Sequence, residues 1–111
     1  MLFLVELDHV KSDAPMPPEA GRAFIEQVIL PTLERAEQLA AEKKIVSGGA
    51  VAGRIALRFT VEAESLRALD QMISSLPIWP LAETLITPLV ALGDRRTGVQ
   101  AILQSLASRS S

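Results

Sequence analysis

The chain has 111 residues, 49% of them hydrophobic and 22% charged, with a formal net charge of −2. This composition is typical of one globular domain, and it excludes both a disordered chain and a strongly basic surface for nucleic acid. The sequence has no cysteine and one histidine, which excludes disulfides, thiolate metal sites and a histidine cluster for a metal.

The first segment, MLFLVELDHV, predicts a β-strand over residues 2–10 because its two faces differ in polarity. One face carries Phe3, Val5 and Leu7, and the other carries Leu2, Leu4, Glu6 and Asp8. The segment lacks a basic region and reaches Glu6 early, so we expect no signal peptide. No stretch approaches the ~20 apolar residues of a transmembrane helix, and we expect a cytoplasmic protein.

Residues 19–44 predict the longest helix, after a proline-rich turn with the sequence SDAPMPPEA. The apolar positions of this helix recur at a spacing close to 3.6, which predicts one buried stripe. They are Ile25, Val28, Ile29, Leu33, Ala36, Leu39 and Ala40. Pro31 removes one backbone hydrogen bond, so we expect a kink or a break around residues 27–31.

The glycine-rich segment GGAVAG, residues 48–53, predicts a hairpin. It matches neither of the glycine motifs that bind nucleotide phosphates, and no helix is predicted after it. Residues 54–62 alternate in polarity and predict the next strand. Its buried face carries Ile55, Leu57, Phe59 and Val61, and its other face carries Arg54, Arg58 and Thr60.

The rest of the chain predicts two helices and a strand. Ser65 is the expected N-cap of the first helix, whose apolar stripe of Leu66, Leu69, Met72 and Ile73 ends at Leu76. Residues 82–90 predict the last strand. In the tail, a helix of about ten residues is expected to dock on a neighbouring subunit, because so short a helix is unstable alone in water. Its apolar residues are Val99, Ile102, Leu103 and Leu106.

Elements in this order predict an α+β fold, a ferredoxin-like βαββαβ antiparallel sheet with an added C-terminal helix. We expect the domain to span residues 1–92 and the tail residues 93–111. Helices cover one face of such a sheet, which leaves the other face to Glu6, Asp8, Arg54 and Arg58. That face also carries leucines, so we expect it to pair with the sheet of a second subunit. These leucines are Leu2, Leu4 and Leu85.

The charged residues of that face leave two interpretations open. Glu6 and Arg58 lie on adjacent strands and are expected to form a cross-strand ion pair that stabilises the sheet. Alternatively, Glu6 is a general base, and Arg54 or Arg58 holds a substrate carboxylate or an enolate oxygen. His9 ends the first strand, where it either caps the rim or takes part in acid–base chemistry.

The single tryptophan, Trp79, lies in the segment SLPIWP. Pro77 ends the preceding helix and Pro80 fixes the approach to the last strand, so the tryptophan is held in one place. Its large ring belongs either to the core or to the wall of a ligand cleft beside the junction of helix and sheet.

At these residues the chain resembles the muconolactone isomerase family. The segment SLRALDQMISSLPIWP is similar to the family's pattern of Ser, Ala-Leu and Leu-Pro-aliphatic-aromatic-Pro, and the start MLF.V and Ala52-Gly53 match as well. The resemblance covers roughly residues 1–90. It implies a dimeric α+β barrel, in which subunits pair through their sheets, alone or in a ring of dimers. It also implies that no cofactor is needed, because the reaction only moves a proton between carbons of an unsaturated lactone that bears a carboxylate.

The chain departs from the family's pattern at several polar positions. Leu4 stands where the family has a histidine, Glu6 where it has a basic residue, and Ala50, Arg54 and Leu57 where its hairpin has Arg, His and Asn. We therefore keep two hypotheses. In the first, the chain is a cofactor-free isomerase with catalytic Glu6, Arg58 and His9 and with Arg54, Trp79 and Leu4 at the substrate. In the second, it is a non-catalytic protein that binds a small ligand or assembles.

Overall fold

The computed structural model describes residues 1–11 and 14–110, so part of the predicted proline-rich turn lies outside the described residues. The strands are β1 (Leu2–His9), β2 (Ile45–Ala50), β3 (Ala56–Glu62) and β4 (Ala82–Leu89). The helices are α1 (Pro18–Phe24), α2 (Leu30–Ala41), α3 (Leu66–Ser74) and α4 (Leu92–Ser110). A π-helical segment, Ile25–Ile29, joins α1 to α2, and a 3₁₀ turn, Trp79–Leu81, precedes β4.

The four strands form one antiparallel sheet in the order β2-β3-β1-β4. This order confirms the predicted ferredoxin-like α+β fold, in which β1 and β3 are central. The added C-terminal helix is also present.

The core lies between one face of the sheet and the helices α2 and α3. Phe3, Val5 and Leu7 of β1 are at most 2% exposed, which confirms the buried face that alternation predicts. The helices contribute the other side of this core. Its helical residues are Leu39, Leu69 and Ile73, and Leu76 follows two residues after the end of α3.

Four predicted core positions are wrong, and two of them lie in the long helix, where Ile25 is 48% exposed and Ala40 is also exposed. Ile55 precedes β3 and is 40% exposed, because it belongs to the hairpin connection and only its carbonyl joins the sheet, accepting the amide of His9 at 3.0 Å. Leu66 is the first residue of α3 and is 60% exposed. The predicted cap beside it is confirmed, since the Ser65 hydroxyl accepts the Ala68 amide at 3.1 Å.

The expected disturbance of the long helix takes the form of the π-helical segment. Pro31 has no amide hydrogen to donate, and the wider turn that ends at Ile29 accommodates this without breaking the helix. The helix ends near Lys43, whose φ of 63° is left-handed and turns the chain toward β2.

The C-terminal helix is longer than predicted. It has 19 residues, and residues 91–109 are all exposed. Within the described part of the chain, no helix is both long enough and apolar enough to cross a membrane.

Candidate functional site

The face of the sheet opposite the core carries the predicted charged residues. We call it the open face; its residues in β1 and β4 are Leu2, Leu4, Glu6, Asp8, Glu83, Leu85, Thr87 and Leu89. Alternation along each strand places them there, since the intervening residues of β1 enter the core. In the adjacent β3, Arg58 and Thr60 lie opposite Glu6 and Leu4 and therefore share this face.

The guanidinium group of Arg58 lies between two carboxylates. Its Nε is 3.2 Å from Glu6 Oε1, and its terminal nitrogen donates to both carboxylate oxygens of Asp8, at 3.0 and 3.1 Å. The cross-strand Glu6–Arg58 pair therefore has the geometry that the sequence predicts. These three side chains are about one-third exposed, so water reaches part of the cluster.

Arg54 extends this cluster at its outer end. It belongs to the connection between β2 and β3 and pairs with Asp8 Oδ1, so that Asp8 bridges both arginines. The Arg54 side chain is 58% exposed, which makes it the more accessible cation for an incoming anion. We call the four residues Glu6, Arg58, Asp8 and Arg54 the ion-pair chain. Sequence analysis placed Asp8 on this face but missed its bridging position.

Leucines and hydroxyl groups adjoin the ion-pair chain on the open face. Leu85 lies opposite Glu6 and is 59% exposed, while Leu4 lies between Thr60 and Thr87 on the neighbouring strands. The open face therefore combines a charged end with an apolar end.

His9 lies on the other side of the sheet from Glu6 and Arg58. Its ring centroid is 5.0 Å from that of Phe24 in α1, which places the imidazole on the helix-covered side. The His9 Nδ1 atom and the Thr84 hydroxyl are the buried side-chain polar atoms without a hydrogen-bond partner among the described residues. The structure therefore does not bring His9 together with the other two predicted catalytic residues, and sequence analysis missed Thr84.

Trp79 begins the 3₁₀ turn at the end of α3 and is 40% exposed. The buried residue here is Ile78, which directly precedes the turn and is 5% exposed. The Trp79 amide donates to the Leu76 carbonyl at 2.9 Å, which ties the turn to the segment that follows α3. The ring is thus at the surface of the helix–sheet junction rather than inside the core.

A small cleft lies beside Ile78, between α2 and the connection from β2 to β3. It has a volume of about 150 Å³ and is mainly apolar. Arg54 is the one charged residue among those that line it, and the buried Thr32 is the other polar one. A neighbouring hollow of about 270 Å³ shares Leu33, Ala50 and Leu57 with it.

A larger groove of about 560 Å³ lies away from these residues, on the side of Lys43, Glu62 and Met72. None of the predicted site residues lines it. Among the described residues, no group of three or more His, Asp and Glu side chains is placed to hold a metal ion.

Comparison with known proteins gives a family match and several similar solved structures. The family model described as muconolactone delta-isomerase matches residues 1–94. The crystal structure of muconolactone isomerase superimposes with a TM-score of 0.66 at 25% sequence identity, over 82% of this chain and 90% of that one. No curated protein matches in sequence.

The second structure is 5-chloro-2-hydroxyhydroquinone dehydrochlorinase from Burkholderia phenoliruptrix, in complex with 2,5-dihydroxybenzoquinone. It superimposes with a TM-score of 0.58 at 22% identity, over 81% of this chain and 94% of that one. At this identity the likeness concerns the fold.

Proposed function

The chain belongs to the muconolactone delta-isomerase family, and from that premise we propose that it is a cofactor-free isomerase of a small carboxylate or lactone. The reaction in this proposal moves a proton between two carbons of the substrate. The observation that carries it is the ion-pair chain, in which Glu6 lies 3.2 Å from Arg58. A carboxylate beside a guanidinium supplies the two groups that proton transfer next to a carbonyl requires.

In the proposed mechanism, Glu6 removes a proton from the carbon next to the substrate carbonyl and returns it to another carbon. Arg58 stabilises the negative charge that develops on the enolate oxygen. Arg54 binds the substrate carboxylate, which replaces Asp8 as its partner. The exposed side chain of Arg54 supports this exchange, because a half-exposed ion pair opens at little cost.

Apolar contacts complete the proposed substrate site. Leu4 adjoins the charged end of the open face and supplies contact area for the carbon skeleton of the substrate. Trp79 lies at the helix–sheet junction, so we propose it as a substrate contact only for a ligand that reaches the cleft beside Ile78. We propose an acid–base role for His9 only for a ligand that binds on the helix-covered side of the sheet, where its ring lies.

We also propose that the protein self-associates as a homodimer or a larger ring of dimers. Leu85 and Leu89 on the open face are 59% and 38% exposed, and a second copy would remove them from water. Covering this face would also exclude water from the ion-pair chain, which strengthens the action of Arg58 on an enolate.

The test is proton exchange with solvent. Muconolactone, the substrate that the family name indicates, is incubated with the protein in D₂O, and loss of its α-proton signal is followed by NMR. Glu6→Gln should slow exchange by about 100-fold or more, the usual contribution of a general base. Glu34→Gln, which removes one exposed carboxylate from α2, is the control and should leave the rate unchanged. An unchanged rate in Glu6→Gln would remove Glu6 from this role.

A non-catalytic ligand-binding protein is the second candidate. Both arginines of the ion-pair chain already have carboxylate partners, and the cleft beside Ile78 is lined almost entirely by apolar residues. Its volume of about 150 Å³ suits one small ring. Calorimetric titration distinguishes the two candidates. Binding of a ring carboxylate that Leu33→Trp abolishes, without any proton exchange, supports the second candidate.

A further inference from the structure

The helix α4 leaves this chain with far more surface than a compact protein of its mass. The chain has a mass of 12.0 kDa and an accessible surface of 8058 Å², whereas a compact monomer of that mass exposes about 6,000 Å². The radius of gyration is 19.3 Å, against about 13 Å for a compact chain of this length. The helix therefore extends away from the body of the domain.

One side of α4 is apolar and exposed. Val99, Ile102 and Leu103 recur at helical spacing and are 53%, 60% and 66% exposed. We call these three residues the α4 stripe. Only Val90 and Ala91 separate α4 from β4. The longest extent of the chain is 73 Å, so the helix extends away from the sheet and does not fold back across it. Something outside this chain must cover the stripe for a helix with two glycines to be stable in water.

The distribution of charge along the chain favours a second copy of the same chain as the partner that covers the α4 stripe. Residues 1–91 contain eight basic and twelve acidic residues, a formal charge of −4, whereas residues 92–111 contain three arginines and one aspartate, a formal charge of +2. Arg95 and Arg96 lie one turn before Val99 and therefore border the stripe. The polar residues of α4 opposite the stripe are Gln, Ser, Thr and Asp94, so that side lacks the basic charge of a membrane-surface helix.

The open face has a matching margin along its edge strand. β4 is the last strand of the sheet, and its open-face residues Leu85 and Leu89 are exposed, with the acidic Glu83 next to them. We call these three residues the β4 margin. The α4 stripe, bordered by arginines, is thus complementary to the β4 margin with its glutamate. Each copy of the chain carries both surfaces.

We infer that α4 docks on a second copy of this chain, packing the α4 stripe against the β4 margin of that copy. Two copies related by a two-fold axis exchange their helices and cover both exposed surfaces at once. This inference rests on the proposed self-association and adds the element that holds the copies together.

Equilibrium sedimentation of the full chain tests whether α4 holds the assembly. Ile102→Ser combined with Leu103→Ser should raise the dimer dissociation constant at least about tenfold, since two buried apolar side chains are lost. Ala101→Ser combined with Gln104→Ser places the same number of serines on the opposite side of α4 and should change it less than about twofold. A dimer equally stable in both variants overturns the inference but not self-association, whereas a full-length monomer overturns both.

Disulfide cross-linking tests whether the β4 margin is the surface on which α4 docks. The sequence has no cysteine, so the introduced cysteines are the only thiols that can react. Leu103→Cys combined with Leu85→Cys should give a covalent dimer under oxidation, and the peptide joining the two positions identifies the contact by mass spectrometry. Gln104→Cys combined with Leu85→Cys is the control and should not cross-link. Links between two copies of position 103, with none to position 85, would show a helix–helix contact and overturn the assigned surface.

Discussion

The hydroxyl oxygen of Thr32 accepts a hydrogen bond from the backbone amide of Ile78 at 3.0 Å, and both residues are almost completely buried. Thr32 lies in α2 and Ile78 lies in the turn between Pro77 and Pro80, so this bond fixes the turn against the helix. Both residues line the small cleft. The position of Trp79 at the protein surface thus depends on the side chain of Thr32, which lies 46 residues before Ile78 in the chain.

We predict that Thr32→Val lowers the free energy of unfolding by about 1–3 kcal/mol, because it leaves the buried Ile78 amide without an acceptor. Thr32→Ser retains the hydroxyl and should lose much less. Urea denaturation of both variants measures the difference. A Thr32→Ser protein that is less stable than Thr32→Val would mean that the methyl group, rather than the hydrogen bond, determines the role of Thr32.

The two adjacent glycines of β2 should respond differently to alanine. Gly48 has a φ of 122°, and a Cβ there would overlap the Arg58 carbonyl oxygen and the Phe59 Cα, whereas a Cβ on Gly49 meets nothing within 4 Å. Gly48→Ala should therefore destabilise the protein by about 2–5 kcal/mol, from strain and overpacking together. Gly49→Ala should change stability by less than about 1 kcal/mol. Thermal unfolding checks the pair, and similar melting temperatures would contradict the prediction.

Much of the fold follows from hydrophobic periodicity alone. Alternation in β1 identifies Phe3, Val5 and Leu7 as core, and the capping serine at Ser65 marks the start of α3. These features are local, since a period of two or a cap depends only on neighbouring residues. Alternation within each strand is also what allowed the charged residues to be assigned to one face of the sheet.

The features that sequence analysis missed depend on distant parts of the chain. Asp8 bridges Arg54 and Arg58 because the hairpin connection returns beside the end of β1, and no local pattern contains that return. The exposure of Ile55 has the same origin, since β3 begins two residues later than its alternation suggests. The full length of α4 was missed because Gly93 and Gly98 resemble helix breaks in sequence, yet both lie inside the helix.

The buried position of His9 on the helix-covered side of the sheet predicts how its replacement changes stability. Its Nδ1 is buried without a partner among the described residues, while its ring contacts Phe24. His9→Phe keeps the ring contact and removes the buried nitrogen, so it should stabilise the protein by about 1 kcal/mol. His9→Ala loses the contact and should destabilise it.

Denaturation midpoints of the two His9 variants provide the test. A destabilised His9→Phe protein would contradict the prediction and would indicate that Nδ1 has a bound partner in solution. If proton exchange from the substrate is also lost in the more stable His9→Phe protein, the histidine has a chemical role rather than a structural one.

The last prediction concerns Asp8, whose carboxylate forms ion pairs with both arginines of the ion-pair chain. Asp8→Asn removes the negative charge that competes with a ligand carboxylate, and Glu6 still holds Arg58. We therefore expect benzoate, a small ring carboxylate, to bind about threefold to tenfold more tightly, which corresponds to about 1 kcal/mol for one charge-assisted contact. Asp70→Asn makes the same change of charge on the exposed side of α3 and serves as the control. Calorimetric titration measures both affinities. An equal gain in the two variants would reflect net charge alone, and an unchanged affinity in Asp8→Asn would show that Arg54 does not bind the carboxylate.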